Sequence, residues 1–131
     1  MYDMRDTLSY YFSGVTAKEN YGWGLKEQKM ISNQILQNTI EGLKGIARVE
    51  LCVMDVDGKE VAATMDMGNC SKPAVEFAAS PADSQEIQGY QYFKIYDEQQ
   101  LEYILVAGGT GEDVYMIGKM VAFQIQNLLV A

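Results

Sequence analysis

The chain has 131 residues, 48% of them hydrophobic and 21% charged, a length and balance that fit one hydrophobic core and leave no room for a second domain. Its 18 acidic residues outnumber 10 basic ones, and the net charge of −8 would repel a phosphate backbone, which argues against nucleic acid as a direct partner. There is no histidine, so the commonest general base and the commonest metal ligand are both missing.

No apolar run approaches the ~18 residues of a membrane span, so no membrane partner is expected. The opening Met1-Tyr2-Asp3-Met4-Arg5-Asp6 carries acids where a secretory leader carries basic residues, and the sequence reads as cytoplasmic. Cys52 lies in an apolar run and Cys70 beside a turn, a spacing that fits neither a disulfide framework nor a metal site; buried, idle thiols are the plain account.

In chain order, Met4, Leu8, Tyr11, Phe12 and Val15 form a helical stripe over 3–15 with an Asp placed to cap it. Gly14, Gly22 and Gly24 then predict a loop or hinge, so residues 1–24 form an aromatic-rich helical extension and 25–131 the domain proper. Leu25, Ile35, Leu36, Ile40 and Leu43 predict an amphipathic helix of about five turns over 25–43, closed by Gly45. A strand is expected over 47–56, with Asp57-Gly58 as hairpin turn and a partner strand over 59–65. Ser71 is placed to cap a short helix over 73–79, with Pro73 in its first turn. Residues 86–96 alternate, with Tyr90, Tyr92, Lys94 and Tyr96 on one face and Gln91, Phe93 and Ile95 on the other. After a turn at 97–100, the apolar stretch 101–107 predicts a central strand covered on both faces.

Thr110 is placed to cap the last helix, and Glu112 and Asp113 suit its N-terminal dipole. Val114, Ile117, Val121, Ile125 and Leu128 form the inner stripe of that helix. Met116, Met120 and Phe123 widen its apolar surface, so it is expected to touch something besides its own sheet. The chain stops without a helix terminator, which reads as a domain excised from a longer protein. The order predicts an α+β fold: an antiparallel sheet with long N- and C-terminal helices on one face and a short helix with loops over a pocket on the other.

The segments Lys29-Met30-Ile31-Ser32-Asn33-Gln34-Ile35, Val53-Met54-Asp55-Val56-Asp57-Gly58-Lys59-Glu60-Val61 and Ile104-Leu105-Val106-Ala107-Gly108-Gly109-Thr110-Gly111-Glu112 resemble three parts of one family. They are similar to the opening helix, the first hairpin and the last strand-to-helix junction of the sugar-diacid recognition domain of bacterial transcriptional regulators. The resemblance implies a PAS/GAF-like sensor that controls a downstream helix-turn-helix, a segment this chain does not contain. The family's arginine-containing loop after the hairpin is replaced here by Met65-Asp66-Met67-Gly68-Asn69-Cys70, and residues 1–24 have no counterpart.

A carboxylate ligand needs cations or free helix N-terminal N–H groups, and Asn69, Cys70, Ser71 and Lys72 supply both; a plain capped helix start is the alternative. Tyr90, Tyr92 and Lys94 either line the pocket wall or form the solvated face of an edge strand. Gly108-Gly109-Thr110-Gly111 lacks the ending of a phosphate loop and reads as a tight turn, and Asp55 and Asp57 lack the remaining ligands of a calcium loop. Glu112 and Asp113 point in different directions on a helix, and nothing pairs a nucleophile with a base. The expectation is therefore a non-enzymatic sensor with no catalytic residues, metal or cofactor. It would bind a small polar metabolite such as a carboxylic or sugar acid and signal through a homodimer of its terminal helices, acting with a transcriptional or signalling regulator. The rival expectation is a roadblock- or profilin-like dimeric scaffold, whose mark would be a filled core under the short helix.

Overall fold

A computed structural model describes residues 32–109 and 113–130, all within the unit Ser32–Ala131. The predicted helix over 3–15, the extension 1–24 and the start of the 25–43 helix lie outside the described residues, as do Thr110 and Glu112. The described chain runs α1 (Asn33–Ala47), β1 (Glu50–Asp55), β2 (Glu60–Ala63), a 3-10 turn (Gly68–Cys70), α2 (Ser71–Ala78), β3 (Ser84–Ile87), β4 (Tyr90–Asp97), β5 (Gln100–Gly108) and α3 (Val114–Val130). The fold is α+β, with three helices and one antiparallel sheet in the order β2-β1-β5-β4-β3. Among the described residues no helix is long and apolar enough to cross a membrane.

Strand β5 occupies the middle of the sheet, and Tyr103, Ile104, Leu105, Val106 and Ala107 are all buried, as expected for a strand covered on both faces. Side chains alternate between the faces, and register carries the alternation across the sheet. Cys52 opposite Val106, Met54 opposite Ile104 and Tyr92 opposite Val106 face α2, whereas Phe93 opposite Leu105 faces α3. Helix α1 packs on β1 and β2, α3 packs on β4 and β5, and the two helices touch each other on that face.

Helix α1 begins because the Ser32 hydroxyl accepts the Ile35 N–H at 3.1 Å. It does not close at Gly45. It continues to Ala47, and Arg48 takes the left-handed cap position at φ 62°, its N–H donating to the Lys44 carbonyl at 2.7 Å. From its inner edge, the Gln37 amide donates to the Ala63 carbonyl (2.7 Å) and accepts the Ala63 N–H (3.0 Å), closing part of the β2 edge as a neighbouring strand would. Nearby the Thr64 hydroxyl donates to Glu50 at 2.7 Å and Lys44 lies 2.9 Å from the same carboxylate; the two hold Glu50 below its usual pKa.

Two further expectations are corrected. The single alternating strand over 86–96 is a hairpin, β3 and β4, joined by Gln88 (φ 52°) and Gly89 (φ 87°). Positive φ at both turn positions matches the twist of the strands, a geometry that Gln-Gly does not announce as Asn-Gly would. Ser71 does not cap α2. Cys70 holds the cap position without a side-chain hydrogen bond, and the Ser71 hydroxyl donates to the Gly58 carbonyl at 2.7 Å.

Glycine 118 sets how closely α3 approaches the sheet, because a methyl there would lie 2.4 Å from the Phe93 ring and 3.2 Å from the Ala107 methyl. Gly45, by contrast, has nothing within 4 Å of the same position. Gly45→Ala should therefore stabilise the fold by about 0.5–1 kcal/mol through helix propensity. Gly118→Ala should destabilise it by about 1–2 kcal/mol, because crowding costs more than the helix gains. Urea unfolding of both variants checks the opposed signs.

Candidate functional site

The face between α2 and the sheet is where a pocket was expected. Cys52 and Met54 from β1, Ile104 and Val106 from β5, and Tyr92 from β4 rise from the sheet toward Ala74 and Phe77 of α2. Met67 and Cys70 enter from the preceding loop, and all nine side chains are buried in one cluster. The Tyr92 and Phe77 rings meet at a tilt, with centroids 5.9 Å apart.

Helix α2 seats on the sheet through two polar contacts. At its start, the Ser71–Gly58 bond ties it to the β1–β2 turn, where the Asp55 carboxylate accepts the N–H groups of Asp57 (2.9 Å) and Lys59 (3.0 Å). Gly58 stands at φ 83°, and a methyl there would lie within 2.9 Å of Ser71 and Val75, so the turn needs glycine both for conformation and for space. Past the end of α2, the Lys94 ammonium donates to the Ser80 carbonyl and sits 5.1 Å from the centre of the Phe77 ring. A cation there is favoured by the negative end of the helix and by the ring face.

Of the residues predicted to line the site, four converge. Cys70 and Tyr92 are both buried in the cluster, Tyr90 packs against its edge, and Lys94 covers Phe77. Ser71 serves the hairpin turn instead, and Asn69 and Lys72 are exposed. Sequence reading missed Met67 and Phe77. The three-residue spacing of Ala74 and Phe77 was the available signal for Phe77, whereas nothing local marks Met67.

Burial pushes the Cys52 thiol up to about 12 from its ordinary 9.0, and burial, followed by the neighbouring Cys70 thiol, raises Tyr92. Neither group is activated as a nucleophile. Among the described residues no cluster of three acidic or cysteine side chains stands where it could hold a metal ion. Neither a protein-family model nor a curated protein matches the chain.

The native protein at pH 8 should leave both thiols unlabelled by Ellman's reagent over minutes, and both should react once it is denatured. Fast labelling of either would show that the α2 layer opens. Below pH 9.0 the Cys52 thiol is neutral in both folded and unfolded chains; between 9.0 and about 12 only the unfolded one ionises, so stability should fall as pH rises through that window. Lys94→Met should cost about 1–3 kcal/mol by leaving the Ser80 carbonyl without its charged donor, read by urea denaturation.

Proposed function

We propose that the chain is a non-enzymatic interaction scaffold of the roadblock- or profilin-like kind, a domain whose output is its surface, rather than a sensor of small molecules. The observation that supports this reading is the packing under α2. A sensor needs a cavity lined by a few polar groups left over for the ligand. Here the corresponding layer holds buried side chains of the chain's own, and polar groups beside it are engaged within the fold: Lys94 with the Ser80 carbonyl, Ser71 with the Gly58 carbonyl.

The order helix, hairpin, short helix, strands, helix suits a PAS/GAF-like sensor and a scaffold alike, so it does not separate them. The described parts of the segments that resemble the sugar-diacid recognition domain lie at the start of α1, in the β1–β2 hairpin and at the end of β5. They cover a helix start, strands and a turn. Selectivity would instead come from α2 and the loop before it, where this chain departs from the family.

A thermal-shift screen of sugar acids, dicarboxylates and other polar metabolites tests the reading, on protein shown by native mass spectrometry to carry no ligand. A ligand at about 100 times its dissociation constant would add about 2.7 kcal/mol of stability, an easily read shift. The scaffold reading expects none. A concentration-dependent shift from any of these compounds, abolished by substituting Tyr92 or Lys94, would overturn it and restore the sensor.

A further inference from the structure

Helix α3 carries three large apolar side chains into solvent: Met116 is 65% exposed, Met120 64% and Phe123 68%. At about 100° per residue they fall on one line, opposite the buried Val114, Gly118, Val121 and Ile125. They are therefore a crest on the outer side of the helix and not an extension of its core stripe. Over Val114–Val130 there is no acidic residue, and the one cation, Lys119, is turned along the helix onto Tyr115, its ammonium 3.4 Å from the hydroxyl and 5.7 Å from the ring centre.

This contrasts with the rest of a chain whose charge is −8. Glu41 lies on α1, Glu76 on α2, Glu86 on the β3 edge, Asp57 in the β1–β2 turn and Glu98 in the β4–β5 turn. Two copies meeting at any of those surfaces would bring like charges together. Among the described elements α3 is the helix on which they can meet without pairing carboxylates.

We infer that a second copy of this chain packs on the crest of α3, in a two-fold dimer that sets Met120 near its own counterpart and Phe123 toward the Met116–Met120 line of the other copy. The inference rests on the scaffold reading and names the partner. Methionine and phenylalanine are among the residues enriched in interface cores, and methionine adapts its shape to its neighbours. Charge also gives this partner a signature. Two copies at −8 repel each other across a screening length of about 10 Å at 0.1 M salt, which shrinks to about 3 Å at 1 M. Self-association through an acid-free crest must therefore tighten with salt, whereas docking of a basic partner would loosen.

Sedimentation equilibrium of the full chain at about 0.1 and 1 M salt, with the variants Phe123→Glu and Met120→Lys, tests the inference. The expected result is a reversible dimer, tighter at high salt, that either variant weakens by about thirtyfold or more, as truncation of an interface hot spot does. The two substitutions carry opposite charges, so a loss in both reports burial of the crest and not a change in net charge. Lys72→Glu, on α2 across the sheet, should leave the dimer unchanged. Both crest side chains are exposed among the described residues, so the variants should melt as the wild-type monomer does; Met116→Gln is the milder substitute for one that does not. A wild-type chain that stays monomeric up to about 1 mM, or a dimer that survives both substitutions, overturns the inference. Neither result touches the scaffold reading, which falls only to a ligand-induced thermal shift.

Discussion

Strand β5 has to bury both of its faces, and the remaining architecture follows from how that is done. Along Tyr103–Ala107 every side chain leaves water, so each must find a layer above or below the sheet. Alternation sends Ile104 and Val106 to one side and Leu105 and Ala107 to the other, and antiparallel register imposes the same division on β1 and β4. Two layers of unequal size result. Helices α1 and α3 cover one face, and one short helix covers the other, with Met67 and Cys70 filling in before it. Glycine decides how tightly each side closes, Gly118 for α3 on Phe93 and Gly58 for the hairpin turn on α2.

The small layer explains the functional reading. An eight-residue helix has too few side chains to hold itself in place by apolar contact alone, so it is fastened at both ends. Ser71 ties its start to a turn, and Lys94 ties the residues after its end to β4. Both groups looked on sequence like ligand contacts, because a hydroxyl and an ammonium beside a helix serve equally to bind an anion or to hold the helix. Both are engaged with backbone carbonyls within the fold, and this engagement is what supports the proposed scaffold.

Surfaces are treated unequally too. At the β2 edge the Gln37 amide takes the place of a strand for Ala63, which limits strand addition there. Among the described residues the outer side of α3 has no comparable cover, and its crest places methionine and phenylalanine where isolated domains usually place charge. In a chain of net charge −8, a surface without carboxylates is also where repulsion between copies is weakest.

Local periodicity determined much of this protein. The alternation of Tyr90, Tyr92 and Lys94 against Gln91 and Phe93, the turn at Asp57-Gly58, the apolar run of β5 and the inner stripe of α3 are each written within a few residues, because a side chain's direction follows from backbone geometry. That Met116, Met120 and Phe123 add apolar surface outside the inner stripe was legible for the same reason; that they stand apart from it as a crest was not. Tertiary structure alone decided what depends on distant partners. Ser71 serves Gly58, thirteen residues earlier, only because the hairpin folds back beneath α2. Lys94 reaches Ser80 only because β3 and β4 separate at a Gln-Gly turn that sequence did not mark. Sequence named the polar groups on the α2 face; the partners that Ser71 and Lys94 take within the fold were decided by contacts between segments that no local pattern connects.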